Sequence, residues 1–277
     1  MVDAILGFVI WINETVIGMG GNGNGLTASL ADFLPQIYQY VLNIMSAVTR
    51  PVAYTILALF FVLELVKISS KVETASSGSR LGVELIFKTL IRLVLCKLAI
   101  DNVDLILHAI FDVSVYLTTQ IQGIVQSNQL TGFLDQEVIR ESLSKVDFFG
   151  QLGCLMMMLI SCIVVIAATV FTTVLCMVRF IEVYVYFAVS PIPMATLPSE
   201  ELSGVAKNFL KAFCAAAIQG TLIYLVISFF PALYTSAFTQ PASDVLGAAT
   251  GALCYGFILL MSIFATGRWA KSITNSM

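Results

Sequence analysis

Three stretches of this sequence, residues 148–178, 212–243 and 245–267, contain no Asp, Glu, Lys or Arg. They run for 31, 32 and 23 residues, and a helix needs only about 20 apolar residues to cross the hydrocarbon core of a bilayer. Soluble domains carry about 25% charged residues. Here the figure is 11%, against 58% hydrophobic residues and a mean hydropathy of +0.94, which excludes a soluble fold. The expected fold class is all-α: a polytopic transmembrane helix bundle with about five crossings, preceded by N-terminal amphipathic, interfacial helices.

No polar stretch exceeds about 30 residues, too few for an independent domain of ~50, so 1–277 reads as a single integral membrane domain. Residues 1–49 are expected on the outer side, as interfacial helices joined by the glycine-rich GMGGNGNG at 18–25. That joint holds a formal G-x-G-x-x-G (Gly18, Gly20, Gly23) with no βαβ context, so it carries no nucleotide-site expectation. The membrane segments are expected at 50–66, 84–125, 150–190, 209–236 and 245–267. Pro51 fits as the first residue of the span 51–66. In 84–125, Glu84, Lys88 and Arg92 share one helix face while Lys97, Asp101, Asp104, His108 and Asp112 share another, which implies a bend near Leu95 or two helices. Residues 126–150 read as a polar loop with a short amphipathic helix.

Lys and Arg flanking the spans set orientation. Residues 1–49 and 237–247 have none, whereas 67–80 holds Lys67, Lys71 and Arg80, 199–211 holds Lys207 and Lys211, and the tail holds Arg268 and Lys271. The expected location is a bacterial cytoplasmic membrane, with the N-terminus outside and the C-terminus in the cytoplasm. Asp3 and Glu14 in the first apolar stretch, with no A-x-A-like cleavage site, argue against a cleaved leader. A net charge of −3 leaves no general basic surface to grip nucleic acid by counterion release, so any contact with DNA is indirect or local.

The candidate pore-lining or partner-facing set is Lys97, Asp101, Asp104, His108 and Asp112, because ionisable groups at membrane depth are costly and usually functional. The same stripe suits a helix lying at the interface. Arg179 and Glu182 follow the 31-residue uncharged run and precede Pro191 and Pro193, which marks a cytoplasmic-mouth or docking site stiffened by proline. Gly220, in Ala216-x-x-x-Gly220, and Gly247-x-x-x-Gly251 are helix-packing candidates. Six cysteines, each within an apolar segment, read as packing residues. There is no G-x-S-x-G, H-E-x-x-H or P-loop. No catalytic residue, metal or cofactor is therefore assigned.

Three stretches are similar to a known family: RFIEVYVYFAVSPIP (179–193), NFLKAFCAAAIQGTLIYLVI (208–227) and GRWAKSI (267–273). Together they resemble the TrbL / VirB-six family, the polytopic inner-membrane subunit of type IV secretion and conjugation systems. The matching positions are Arg179, Ser190-Pro191-Ile192, Lys211-Ala212-Phe213 and Gln219-Gly220. They cover the last hundred residues, the first half agreeing only in hydropathy and order. The chain lacks the large central extracellular domain and long soluble C-terminal extension of many relatives, and so resembles the short forms of Gram-positive conjugative elements.

The resemblance implies a non-enzymatic channel or scaffold subunit of a conjugative DNA-transfer machine. Its implied partners are ATPases, bitopic membrane subunits, pilin-like or cell-wall hydrolase components, lipids, further copies of itself and, indirectly, relaxase-bound single-stranded DNA. The alternative, from the 97–112 stripe, is a small-solute transporter or ion channel.

Overall fold

A computed structural model describes residues 2–20, 25–74, 80–127, 140, 144, 147–199, 201–238 and 245–276. Most of the glycine joint, the tip of the 67–80 loop, most of the amphipathic segment at 126–150 and the turn at 239–244 lie outside the described residues. Apart from short turns and connections, the described residues are helical, with no strand among them. In order they form α1 (Val2–Met19), α2 (Leu30–Phe33), α3 (Pro35–Ile44), a π turn (Met45–Thr49), α4 (Arg50–Thr74), α5 (Arg80–Asp101), α6 (Val103–Ser127), α7 (Phe148–Val189), α8 (Pro191–Met194), α9 (Ser203–Phe238) and α10 (Val245–Thr274).

Among these, five stretches are long and apolar enough to cross a membrane: Val2–Met19, Pro35–Ser70, Phe148–Val189, Ser203–Ser236 and Gly247–Thr274. The number agrees with expectation, while the membership differs. The 84–125 stretch is two helices, α5 and α6, jointed at Asn102 rather than near Leu95, and neither is among the five. Its charges explain why: α5 alone carries Arg80, Glu84, Lys88, Arg92, Lys97 and Asp101.

The chain divides into two compact units. The first holds Met1–Ala28, Val113–Arg179 and Ile218–Ala270. Its core draws Ile5, Val9, Ile12 and Val16 from α1, Met158 and Val165 from α7, Ile223, Phe230 and Tyr234 from α9, and Leu259 and Ile263 from α10. The α1 residues recur every three or four positions and pack into this core, while Trp11 and Ile17 are exposed; α1 is thus a packed helix of spanning length, where an interfacial one was expected. Larger side chains pack against two glycines. A Cβ on Gly20 would stand 3.3 Å from Tyr224, and one on Gly256 3.3 Å from Val164. On α10 the buried alanines are Ala249, Ala252, Ala265 and Ala270, while Gly247 is exposed and Gly251 half-buried.

The second unit holds Ser29–Asp112, Phe180–Ala217 and Lys271–Met277. Ser29 caps α2, its hydroxyl oxygen accepting the Asp32 amide at 3.2 Å. Pro51 does not start a new helix: α3 runs through the π turn directly into α4. Proline lacks an amide hydrogen and crowds the preceding turn, and the helix widens by one residue just before it. Thr49 shares its hydroxyl between the carbonyls of Met45 (3.0 Å) and Ala188 (2.8 Å). The chain after α10 closes with Asn275 at φ 50° and the Ser276 amide bonded back to the Lys271 carbonyl at 3.0 Å, a left-handed C-cap that asparagine tolerates.

Candidate functional site

Along α5 and α6 the buried positions Cys96, Ile100, Val103, Leu107 and Phe111 form one stripe. The ionisable residues lie one position round the helix from it, so they sit at the edge of the packed face. Asp101, Asp104 and His108 are half-buried, whereas Lys97 and Asp112 are exposed. The middle three are brought together with side chains from α3 and α4. The Arg50 guanidinium donates to the Asp101 carbonyl at 3.2 Å and pairs with the Asp104 carboxylate at 3.4 Å, and the Tyr54 hydroxyl donates to the Asp101 carboxylate.

His108 is fixed in one tautomer. Its Nδ1 stands 2.7 Å from the Asp104 carbonyl, which can only accept, so Nδ1 carries the hydrogen. In the neutral ring Nε2 then accepts the Tyr38 hydroxyl at 2.8 Å. The imidazole edge also meets Phe187, ring centroids 4.9 Å apart. Arg50 Nη2, both ring nitrogens of His108 and the hydroxyls of Tyr38 and Tyr54 are thus each directed at a neighbour, an arrangement that ties α3, α4 and α6 together. Tyr38→Phe is expected to lower stability by about 1 kcal/mol and to add almost nothing in a His108→Ala background, as read by thermal unfolding in detergent. Additive losses would show that the bond does not form.

At the far end of α4, the Lys67 ammonium donates to Glu201 at 2.9 Å and holds that carboxyl below the usual carboxylate range. Arg92 donates to the Pro198 carbonyl at 3.3 Å. Pro191 is buried at the start of α8, which packs against α4, α5 and the π turn, and Pro193 is half-buried with its carbonyl accepting the Thr196 hydroxyl at 2.8 Å. Glu182 accepts the Tyr186 hydroxyl at 3.1 Å.

In the first unit Arg179 is 1% exposed. Its guanidinium occupies the notch left by the missing side chain of Gly220, for a Cβ there would fall 1.4 Å from Nη1 and 2.3 Å from Cζ. Gly220 is therefore a seat for an arginine, rather than only a point of backbone approach. Next to it, Gln219 packs beside Gly267, on which a Cβ would stand 3.4 Å from Gln219 Nε2, an ordinary van der Waals contact.

Sequence reasoning missed the partners of the stripe, Tyr38, Arg50 and Tyr54. It also missed a buried hydroxyl trio in which Thr221 lies 2.9 Å from Thr118 and 3.3 Å from Ser114. The i, i+4 spacing of Ser114 and Thr118 was the available signal, but nothing in α6 names its partner on α9. Among the described residues no three His, Cys, Asp or Glu side chains converge to hold a metal ion.

Comparison with known proteins matches residues 13–191 to a family model described as TrbL/VirB6 plasmid conjugal transfer like protein. That range takes in α3 to α7 whole, the His108 cluster, Arg179 and Pro191, and lies mostly N-terminal to the motifs that carried the resemblance. No curated protein and no solved structure matches the chain.

Proposed function

This chain belongs to the TrbL/VirB6-like plasmid conjugal transfer family, and from that membership we propose that it is a channel or scaffold subunit of a type IV secretion machine that works without catalysis. Its apolar helices and its family make it a multi-pass membrane component of conjugal transfer. The finer reading is that several copies assemble with ATPases and other membrane subunits to wall or support the passage taken by a relaxase-bound single strand. The N-terminus faces outward and the C-terminus the cytoplasm, as the Lys and Arg of 67–80, 199–211 and the tail favour.

The observation that carries this reading is the family match across most of the helical chain. The alternative of a solute or ion pathway rested on the 97–112 stripe, whose central residues point at Arg50, Tyr54 and Tyr38 instead.

Deleting the gene from a conjugative element is expected to abolish transfer, leave growth of the donor unchanged and be reversed by the gene supplied in trans. Transfer at the normal frequency in the deletion strain would sink the proposal.

A further inference from the structure

Length and composition admit Pro35–Ser70 as a span, but its direction against α7 does not. Three contacts from α3 and the π turn land on the last turn of α7 and the residue after it. Tyr38 meets Phe187 with ring centroids 6.2 Å apart, the Ser190 hydroxyl reaches the Met45 sulfur at 3.9 Å, and Thr49 bonds the Ala188 carbonyl at 2.8 Å. From Tyr38 to Thr49 the helix advances about 16 Å at 1.5 Å per residue, while its contacts all stay within residues 187–190. A helix lying alongside α7 would have moved some ten residues along it. Residues 35–50 therefore run across the end of α7.

The rest of the hairpin stays at that end. Lys67 bonds Glu201 and Arg92 bonds Pro198, both in the short chain that joins α7 to α9. Asp101, where α5 finishes, returns to Arg50 and Tyr54. Both ends of the apolar run 51–66 are thus tied to one side of a pair of consecutive crossings. Meanwhile α4 exposes Val52, Leu59, Val62 and Val66, and α5 exposes Phe87 and Val94, all more than two-fifths uncovered. Six of the chain's 14 Lys and Arg fall between 67 and 97. If 35–70 crossed after α1, those six would lie outside, against the positive-inside rule.

We propose that the α4–α5 hairpin lies in the plane of the cytoplasmic leaflet, its exposed apolar side chains among the lipid acyl chains and its Lys and Arg at the headgroups. The crossings are then α1, α6, α7, α9 and α10. The count of five and the outside-to-inside orientation are kept with α6 as the traverse in place of 35–70: it falls short of the five in apolar character, but its 25 residues reach about 37 Å, and its Asp104 and His108 are turned to Arg50 and Tyr38 at its start. An in-plane helix with long cationic side chains at its edges is the arrangement such a composition favours.

The test uses the full chain with its native cysteines replaced, in phosphatidylglycerol-containing liposomes. Nitroxides are placed singly at Val52, Leu59 and Val66, seven residues apart on one exposed face. The control row on α7 is Met156, Ile163, Val170 and Met177, which passes through the bilayer centre if the protein is inserted. Collision with oxygen and with a water-soluble nickel chelate reports depth. The expected result is one shallow depth for all three α4 labels, with a clear depth maximum along the α7 row. Three outcomes would each overturn the proposal: Leu59 about 10 Å deeper than Val52 and Val66, all three in water, or all three shielded from both relaxants as in a protein interface. None of these readouts depends on DNA transfer, so the hairpin and the proposed function stand or fall separately.

Discussion

Gly220→Ala is expected to destabilise the protein by about 1–3 kcal/mol, the usual cost of forcing an extra methyl into a packed site. Alanine in the middle of a helix ordinarily gains about 0.5–1 kcal/mol over glycine, so the predicted sign runs against helix propensity. The reason is the position of the added atom, 1.4 Å from Arg179 Nη1. A flexible side chain at the surface would swing aside at little cost. Arg179 is 1% exposed, and moving its guanidinium means repacking its surroundings or carrying a charge past apolar side chains. The same argument predicts strong coupling. In an Arg179→Met background Gly220→Ala should lose at least half of its penalty, whereas losses that simply add would show that the arginine does not occupy the notch. Thermal unfolding in detergent and the steady-state level of the protein in membranes read both quantities.

Phe180→Ala is expected to be costlier, at about 2–4 kcal/mol, from the cavity and the lost contacts of a fully buried ring. Phe180 stacks on Phe33 at 3.8 Å with an interplanar angle of 11°, and meets Phe111 at 5.9 Å and Tyr184 at 6.3 Å. The ring thus ties α2 and α6 to α7, and the Tyr184 hydroxyl, bonded to the Leu30 carbonyl at 2.8 Å, holds the same corner. In lipid the apolar surroundings remove most of the ordinary hydrophobic driving force, so packing supplies the penalty. Ile181, the next residue and 55% exposed, provides the contrast. Ile181→Ala should cost less than about 0.5 kcal/mol. Equal losses at 180 and 181 would mean that α7 is not oriented as described.

The legible parts of this protein are those in which one residue's chemistry decides by itself. Asp, Glu, Lys and Arg avoid the membrane core whatever their neighbours, so their absence from 148–178, 212–243 and 245–267 locates α7, α9 and α10. Gly220 and Arg179 were each visible as unusual positions, but nothing in the chain between them says that one fills the other. Pro51 is visible as an interruption, and its chemistry alone favours a helix start. In the π turn the helix widens and continues, and the Thr49 hydroxyl bonds both the Met45 carbonyl of its own helix and the Ala188 carbonyl opposite.

Sequence by itself determined that the chain is helical and belongs in a membrane, because both follow from the summed cost of burying charge and unpaired backbone in lipid. It also carried the family likeness and the asymmetry of Lys and Arg. Tertiary structure alone decided which face of each apolar helix is packed. In α7 both faces are apolar and periodicity is silent, so Phe180 is distinguished from Ile181 only by what stands opposite. It likewise decided that the centre of the His108 stripe turns toward Tyr38 and Arg50, and that Tyr38, Met45 and Thr49 all meet α7 at its last turn or the residue after it. Length and composition are properties of a segment, whereas direction belongs to its contacts.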